Sequence, residues 1–383
     1  MAEFIDPFLM LRALVSVKFN DYTSLKLCNI LLITIYSLIH CLLIHYMFKN
    51  LDINLAVRYV PMIMFLTLVI VGAIFSVAIE KDILEAQVFL FKANWSLEMI
   101  RKDAQLKLER KCRIINICIL CVLLLIFATI TINAPLFGSQ RELFICIQVF
   151  EEYFGKWSFI PYYFYFAAFP FLYYDFLKLW MSFVYAVLEV QLQLTLVEEY
   201  LFETYQINSS KEWKNLQDTH YQQQIKKSLR LCITHHIALK KFVKMTVDLT
   251  IKVMPFYLTI GVLILISFFS FIINFADSMS NILKIRIFMF SASIVSITVL
   301  LSWIGQQLVD VTSGIFWSLV GAPWYFWNLE NVKTLLIFLM NCTKNESIVL
   351  AGICIDYSLG ISILRLSVSY ALGLFNLRKS SLD

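Results

Sequence analysis

The stretch KDILEAQVFLFKANWSLEMIRKDAQLKLERKCR, residues 81–113, carries Lys81, Lys92, Arg101, Lys102, Lys107, Arg110, Lys111 and Arg113. It lies between two uncharged apolar runs, 59–79 and 114–135. Each run is about 20 residues long, enough for an α-helix to cross roughly 30 Å of hydrocarbon. Short basic loops are retained on the cytoplasmic side of a membrane, so this stretch predicts both a class of fold and an orientation.

Working outward, runs of similar character occur at 28–48, 159–181, 253–274, 287–309 and 348–374, which makes seven predicted spans. The whole chain agrees: 60% of residues are apolar, 15% are charged and the mean hydropathy is +0.75. Soluble domains carry about 45–50% apolar and about 25% charged residues, so the expected class is an all-α, polytopic membrane protein. The first 20 residues hold Asp6, Arg12 and Lys18 without a sustained apolar stretch, so the first span is expected to act as the insertion signal.

Counting outside the spans sets the orientation. Arg12, Lys18 and Lys26 precede the first span. The fourth loop adds Lys211, Lys214, Lys226, Lys227, Arg230, Lys240, Lys241 and Lys244, and the sixth adds Lys333 and Lys344. With residues 81–113, one side collects 21 basic residues, against 8 on the other (Lys49, Arg58, Arg141, Lys156, Lys284, Arg286, Arg378 and Lys379). The expected topology is N-terminus cytoplasmic and C-terminus extracellular, opposite to a G-protein-coupled receptor. Four glycosylation sequons, at Asn94, Asn208, Asn341 and Asn345, fall in the loops assigned to the cytoplasm, where they are expected to be unused.

The loops differ in weight. Leu179–Tyr205 and Trp213–Asp248 read as helical extensions, predicting a cytoplasmic helical bundle, and the apolar stretch Leu335–Met340 is a helix too short to cross. Leu136–Ser158 is the sizeable outer segment, placed to cover an outward-opening cavity. Three parts are predicted: 1–310 with six spans and their extensions, 311–347 as an anchor, and 348–383 as the final span and tail.

In the last span Arg365, Ser369, Gly373 and Asn376 recur at steps of four, four and three, so they share one helix face. A polar or small stripe within a span turns toward protein or water rather than lipid. Elsewhere the polar groups carry less. Cys118-x-x-Cys121 sits in an apolar span without a basic activator, which opposes a redox role. The adjacent His235 and His236 point to different helix faces, which opposes a metal pair. Asp175 and Lys178, three apart, are expected to neutralise each other. Clustered intramembrane acids and histidines, which an enzyme or transporter needs, are not in the sequence. Asp-Arg-Tyr and Asn-Pro-x-x-Tyr, signatures of a G-protein-coupled chemoreceptor, are also missing. No cofactor, metal or nucleic-acid partner is expected.

From Trp324-Tyr325 through Leu335-Leu336-Ile337-Phe338-Leu339 and Leu350-Ala351-Gly352 to Arg365-Leu366-Ser367-Val368-Ser369-Tyr370-Ala371-Leu372, the C-terminal quarter resembles the insect odorant receptors. The length, seven spans, inverted orientation and basic helix around His236 fit as well. The resemblance implies the ligand-binding subunit of an odorant-gated, non-selective cation channel. Such a channel is a heterotetramer with the odorant co-receptor in the plasma membrane of olfactory neuron dendrites.

It further implies a central pore lined by the last helix, with Arg365, Ser369, Tyr370, Gly373 and Asn376 as pore residues. Gly373 and Asn376 stand where the co-receptor has an aliphatic gate residue and a glutamine. The related gustatory receptors, which share the fold, end in Thr-Tyr, five apolar residues and Gln-Phe. Here Ser369-Tyr370 and Asn376-Leu377 depart from that pattern.

The resemblance places a cavity for a small volatile organic ligand in the outer halves of the second, third, fourth and sixth spans. The candidate wall is Met62, Phe65, Leu66 and Val69; Ala128, Thr129 and Ile132; Tyr162, Phe166, Phe169 and Tyr173; and Phe290, Ser291 and Ile294. Its apolar and aromatic character rewards shape and buried area. Pro161 and Pro170 are expected to kink the fourth helix and open it. Trp317, Trp324, Tyr325 and Trp327 are the candidate subunit anchor.

Overall fold

The structure, a computed structural model, describes residues 6–15, 23–50, 52–135, 140–206, 216, 218–275, 279–343, 349–350, 353–354 and 356–382. Among them are eleven α-helices: α1 Leu9–Val15, α2 Thr23–Lys49, α3 Ile53–Ala78, α4 Glu80–Ala93, α5 Lys102–Asn133, α6 Cys146–Phe154, α7 Phe159–Gln206, α8 Thr219–Phe275, α9 Asn281–Val320, α10 Leu329–Cys342 and α11 Tyr357–Leu382. Two short strands, Val349–Leu350 and Ile353–Cys354, pair antiparallel ahead of α11. Seven helices, α2, α3, α5, α7, α8, α9 and α11, are long and apolar enough to cross a membrane.

Their apolar surface is not all spent on packing. Leu27, Leu31 and Leu38 of α2, and Ile114, Ile117, Leu124 and Phe127 of α5, are exposed, which suits lipid rather than water. Three helices continue well past hydrocarbon thickness, with α7 of 48 residues, α8 of 57 and α9 of 40. At 1.5 Å per residue, about 20 residues span the membrane and the remainder builds a bundle at one end. α7 forms its axis: Val184, Glu189, Gln193, Leu196, Val197 and Leu201 are fully enclosed by residues of α1, α4, α5, α8 and α9.

The helix starts follow local chemistry. Ser280 Oγ accepts from Leu283 N at 3.3 Å at the head of α9, and Asn328 Oδ1 accepts from Asn331 N at 2.9 Å at the head of α10. Pro161 stands in the first turn of α7, where no intrahelical N–H bond is lost, whereas Pro170 lies inside and removes one.

Several sequence expectations change. The basic stretch 81–113 is largely helical: α4 buries Ala86 and Leu90 on one stripe, and α5 starts at Lys102. α9 runs unbroken through residue 310, so the expected boundary at 310/311 falls within a helix. Lys178 pairs with Glu80 at 2.9 Å rather than with Asp175, because α4 brings a carboxylate directly opposite. Trp213, Asn208 and Asn345 lie outside the described residues. Asn94 is engaged, its Nδ2 donating to Glu189 Oε1 at 2.7 Å.

Candidate ligand cavity and exposed face of the last helix

A cavity of about 580 Å³ lies among α3, α5, α7, α8 and α9, and reaches Leu359 and Ile363 of α11. Nine of the fourteen residues expected from the sequence line it: Met62, Phe65, Leu66, Thr129, Phe166, Phe169, Tyr173, Phe290 and Ile294. Val69, Ala128, Ile132, Tyr162 and Ser291 do not. Val69 is fully buried in the core where α3 packs against its neighbouring helices, and Ser291 Oγ is buried with no partner among the described residues. Tyr162 stands above the cavity, where its hydroxyl donates to Gln140 Oε1 at 3.1 Å.

The aromatic wall is interlocked. Phe290 stacks on Phe268 at 4.5 Å and 7°, and meets Phe65 edge-on at 4.6 Å and 79°. Phe169 stacks on Tyr173 at 5.8 Å. These geometries hold rings in fixed orientations beyond what area burial alone provides. A polar pair joins α5 to α9: Thr129 Oγ1 and Ser293 Oγ lie 2.8 Å apart, with Leu125 O at 2.8 Å from the first and Met289 O at 2.9 Å from the second as alternative acceptors for their two protons.

The segment before α6 is fastened over the adjacent helix ends. Gln140 Nε2 donates to Ala134 O at 2.8 Å, Arg58 Nε to Glu142 O at 3.0 Å and Tyr59 Oη to Arg141 O at 3.0 Å. Arg286, 1% exposed, lies beside this cover with Glu142 as its nearby carboxylate.

At the opposite end the wall continues along α7 and α8 through Trp180, Met181, Met254 and Tyr257, residues missed in the sequence. The span in α8 is so uniformly apolar that no stripe marks which face meets the cavity. Gly72 of α3 permits the approach of α8 here, since a Cβ at that position would collide with the Tyr257 hydroxyl.

On α11 the stripe Arg365, Ser369, Gly373 and Asn376 is exposed, together with Tyr370, while Ser367 and Ala371 face inward and are fully buried. Among the described residues, nothing lies within 4 Å of where a Gly373 side chain would begin. Arg365 forms no ion pair among the described residues. The four anchor candidates separate. Trp317, Trp324 and Tyr325 are exposed, whereas Trp327 is core, donating from Nε1 to Tyr221 Oη at 3.3 Å.

α10 is pinned on one side by amides, with Asn331 Nδ2 donating to Gln222 O and Oε1, both at 2.9 Å. Its other side leaves Leu329, Leu336, Ile337 and Met340 exposed.

Inside the bundle, Glu189 is fully enclosed, and burial pushes its carboxyl up to about 8. Gln193 Oε1 accepts from Trp95 N at 2.8 Å and lies 3.1 Å from His235 Nε2. The His235 ring stacks on Trp95 at 4.2 Å, and burial lowers its pKa to about 4.

Neither a family model nor a curated protein matches the sequence. Solved structures do. The insect olfactory receptor OR5 from Machilis hrabei superposes with a TM-score of 0.71 at 10% identity, covering 94% of this chain and 90% of that one. The same receptor in complex with eugenol gives 0.71 at 9% identity, covering 94% and 92%. The seven long helices, their bundle at one end and the cavity among them are thus built on the fold of the insect olfactory receptors.

Proposed function

We propose that the chain is the ligand-binding subunit of an odorant-gated, non-selective cation channel, a heterotetramer with a shared odorant co-receptor. In this reading the bundle end is cytoplasmic, the cavity opens in the outer half of the membrane and α11 lines the pore. The observation that carries the proposal is the apolar, aromatic-lined cavity of about 580 Å³, of a size and character that suits a small organic molecule. The OR5 structure with eugenol supports a ligand of that kind.

Two surfaces support assembly. The stripe Arg365, Ser369, Gly373 and Asn376 of α11 is exposed, turned away from its own subunit. A polar stripe with no protein behind it is unfavourable against lipid and favourable along a water-filled axis. The exposed apolar side of α10, flanked by Trp324 and Tyr325, suits a second subunit better than water.

The test is whole-cell current in cells expressing this chain with and without the co-receptor, under an odorant panel, with G-protein signalling blocked or intact. A fast cation current that needs both subunits and survives the block is expected. A response without the co-receptor that disappears under the block would overturn both orientation and channel.

A further inference from the structure

α5 and α7 form the two sides of a groove, and the N-terminal segment fills only the part nearest the bundle. On α5, Asn116, Phe127 and Ala134 follow at steps of eleven and seven residues, so they share one face. On α7, Tyr162, Pro170 and Tyr174 share a face at steps of eight and four.

Toward the bundle, α1 and the residue before its first turn are fastened between these faces. Asn116 Nδ2 donates to Pro7 O at 2.7 Å, and Tyr174 Oη donates to Leu14 O at 2.9 Å. At the outer end Gln140 closes the groove, donating from Nε2 to Ala134 O at 2.8 Å and accepting from Tyr162 Oη at 3.1 Å. Between the two fastenings the same faces, at Phe127 and Pro170, line the cavity. Along α7 the interval from Tyr162 to Tyr174 is about 18 Å at 1.5 Å per residue.

Among the described residues that line the cavity, only Phe127 and Pro170 are exposed, Phe127 at 68%. The surface around them is Leu120 and Leu124 of α5 and Phe164 and Phe171 of α7, all exposed. These positions lie inside helices long and apolar enough to cross a membrane, so hydrocarbon meets the pair rather than water. The cover at the outer end is strapped down, by contrast, through Arg58 and Tyr59 to the carbonyls of Glu142 and Arg141.

We propose that the cavity exchanges its contents with the hydrocarbon of the bilayer through a lateral window between α5 and α7, limited by Phe127 and Pro170. The inference rests on reading the cavity as a ligand site, and it names the source and class of ligand: neutral molecules already dissolved in lipid. Charged molecules are excluded at the source, because a charge in hydrocarbon is costly. Each further methylene raises the concentration in lipid about three- to fourfold.

The full-length chain carrying Ile294→Cys, in lipid nanodiscs, is treated with two methanethiosulfonates that share one reactive group, a neutral benzyl reagent and a cationic trimethylammonioethyl reagent. Ile294 lines the cavity and is not exposed. Mass spectrometry follows modification at position 294 and at Cys121, an exposed native thiol of α5 that reports the reagent present in hydrocarbon. Each rate is taken relative to the same reagent on the denatured chain. The benzyl reagent is expected to modify both positions and the cationic reagent neither. Phe127→Trp should slow the benzyl reaction at position 294 severalfold and Phe127→Ala should speed it, with Cys121 unchanged. Tyr59→Phe, which loosens the outer cover, should change neither rate.

Modification of position 294 by the cationic reagent, or a benzyl rate there that responds to Tyr59→Phe and not to residue 127, would overturn the window in favour of an aqueous route. A position 294 that the benzyl reagent never modifies while Cys121 reacts would overturn it too, since the cavity would be closed to lipid. Saturating odorant separates the two readings: benzyl entry that follows residue 127 but is protected by no odorant supports the window and removes the ligand site.

Discussion

Thr129 on α5 and Ser293 on α9 place their hydroxyl oxygens 2.8 Å apart in the wall of the cavity, each within reach of a carbonyl of its own helix. The pair ties two membrane-spanning helices together at the height of the aromatic cluster. Thr129→Val keeps the shape and removes the hydroxyl's contacts across the α5–α9 seam, to Ser293 Oγ at 2.8 Å and Met289 O at 3.3 Å. Ser293 retains its bond to Met289, so the loss should be about 0.5–1.5 kcal/mol, read as a lower unfolding temperature of the purified chain. A midpoint equal to wild type would show that the seam does not depend on this bond.

Phe290 is the ring that joins two parts of the wall, stacked on Phe268 and edge-on to Phe65. Phe290→Ala removes a nearly buried side chain. It should destabilise the chain by about 3–5 kcal/mol if the site does not collapse. The milder Phe290→Leu should keep the chain folded and shift odorant potency toward bulkier molecules, which a size-graded panel of ligands measures as current. Unchanged rank order would place ligand contact elsewhere.

Glu189 gives a pH dependence with a definite sign. Its folded pKa of about 8 lies above the ordinary value, so the folded state holds the proton that the unfolded chain releases. Stability from this group is therefore present below the ordinary carboxyl range and lost as pH rises from there through about 8. His235, lowered to about 4, contributes the opposite slope between about 6.5 and about 4. Glu189→Gln imitates the protonated acid. It should match wild type near pH 5 and exceed it at pH 9 by about 2–4 kcal/mol, measured as unfolding temperature against pH. Parallel curves for the two proteins would remove Glu189 as the source.

Gly373 meets no neighbour among the described residues where a side chain would project. Gly373→Trp should leave the folding of the isolated subunit unchanged. If α11 lines the pore of the proposed channel, the substitution should reduce odorant-evoked current at least severalfold without loss of surface expression. Full-size current from such a channel would take the α11 stripe off the pore axis.

How far the fold can be read from the sequence depends on how much contrast the residues supply. Seven apolar runs against a charged background suffice for the membrane helices, and Leu179–Tyr205 reveals by its helix formers that α7 does not stop at the membrane. α4 escapes notice because only Ala86 and Leu90 mark its buried side within a basic loop. Wall residues on α3, α5, α7 and α9 are legible in part. The α8 contribution of Met254 and Tyr257 is not, because pocket, core and lipid faces of an apolar helix share one vocabulary. Trp324 and Trp327 show the same limit: three residues apart with the same side chain, one lies at the surface and the other in the core beside Tyr221.

α7 has a mechanical consequence. One uninterrupted rod of 48 residues carries Phe169 and Tyr173 in the cavity wall and Val197 and Leu201 in the packed centre of the bundle. The bundle grips that rod on all sides, so its inner part is a clamped beam, and Pro170 removes one of the bonds that stiffen the beam near the cavity. Displacement of the outer arm is therefore met by bending at that weak point or by torque on the clamp. A molecule wedged against Phe169 loads the arm at the place where it yields most easily.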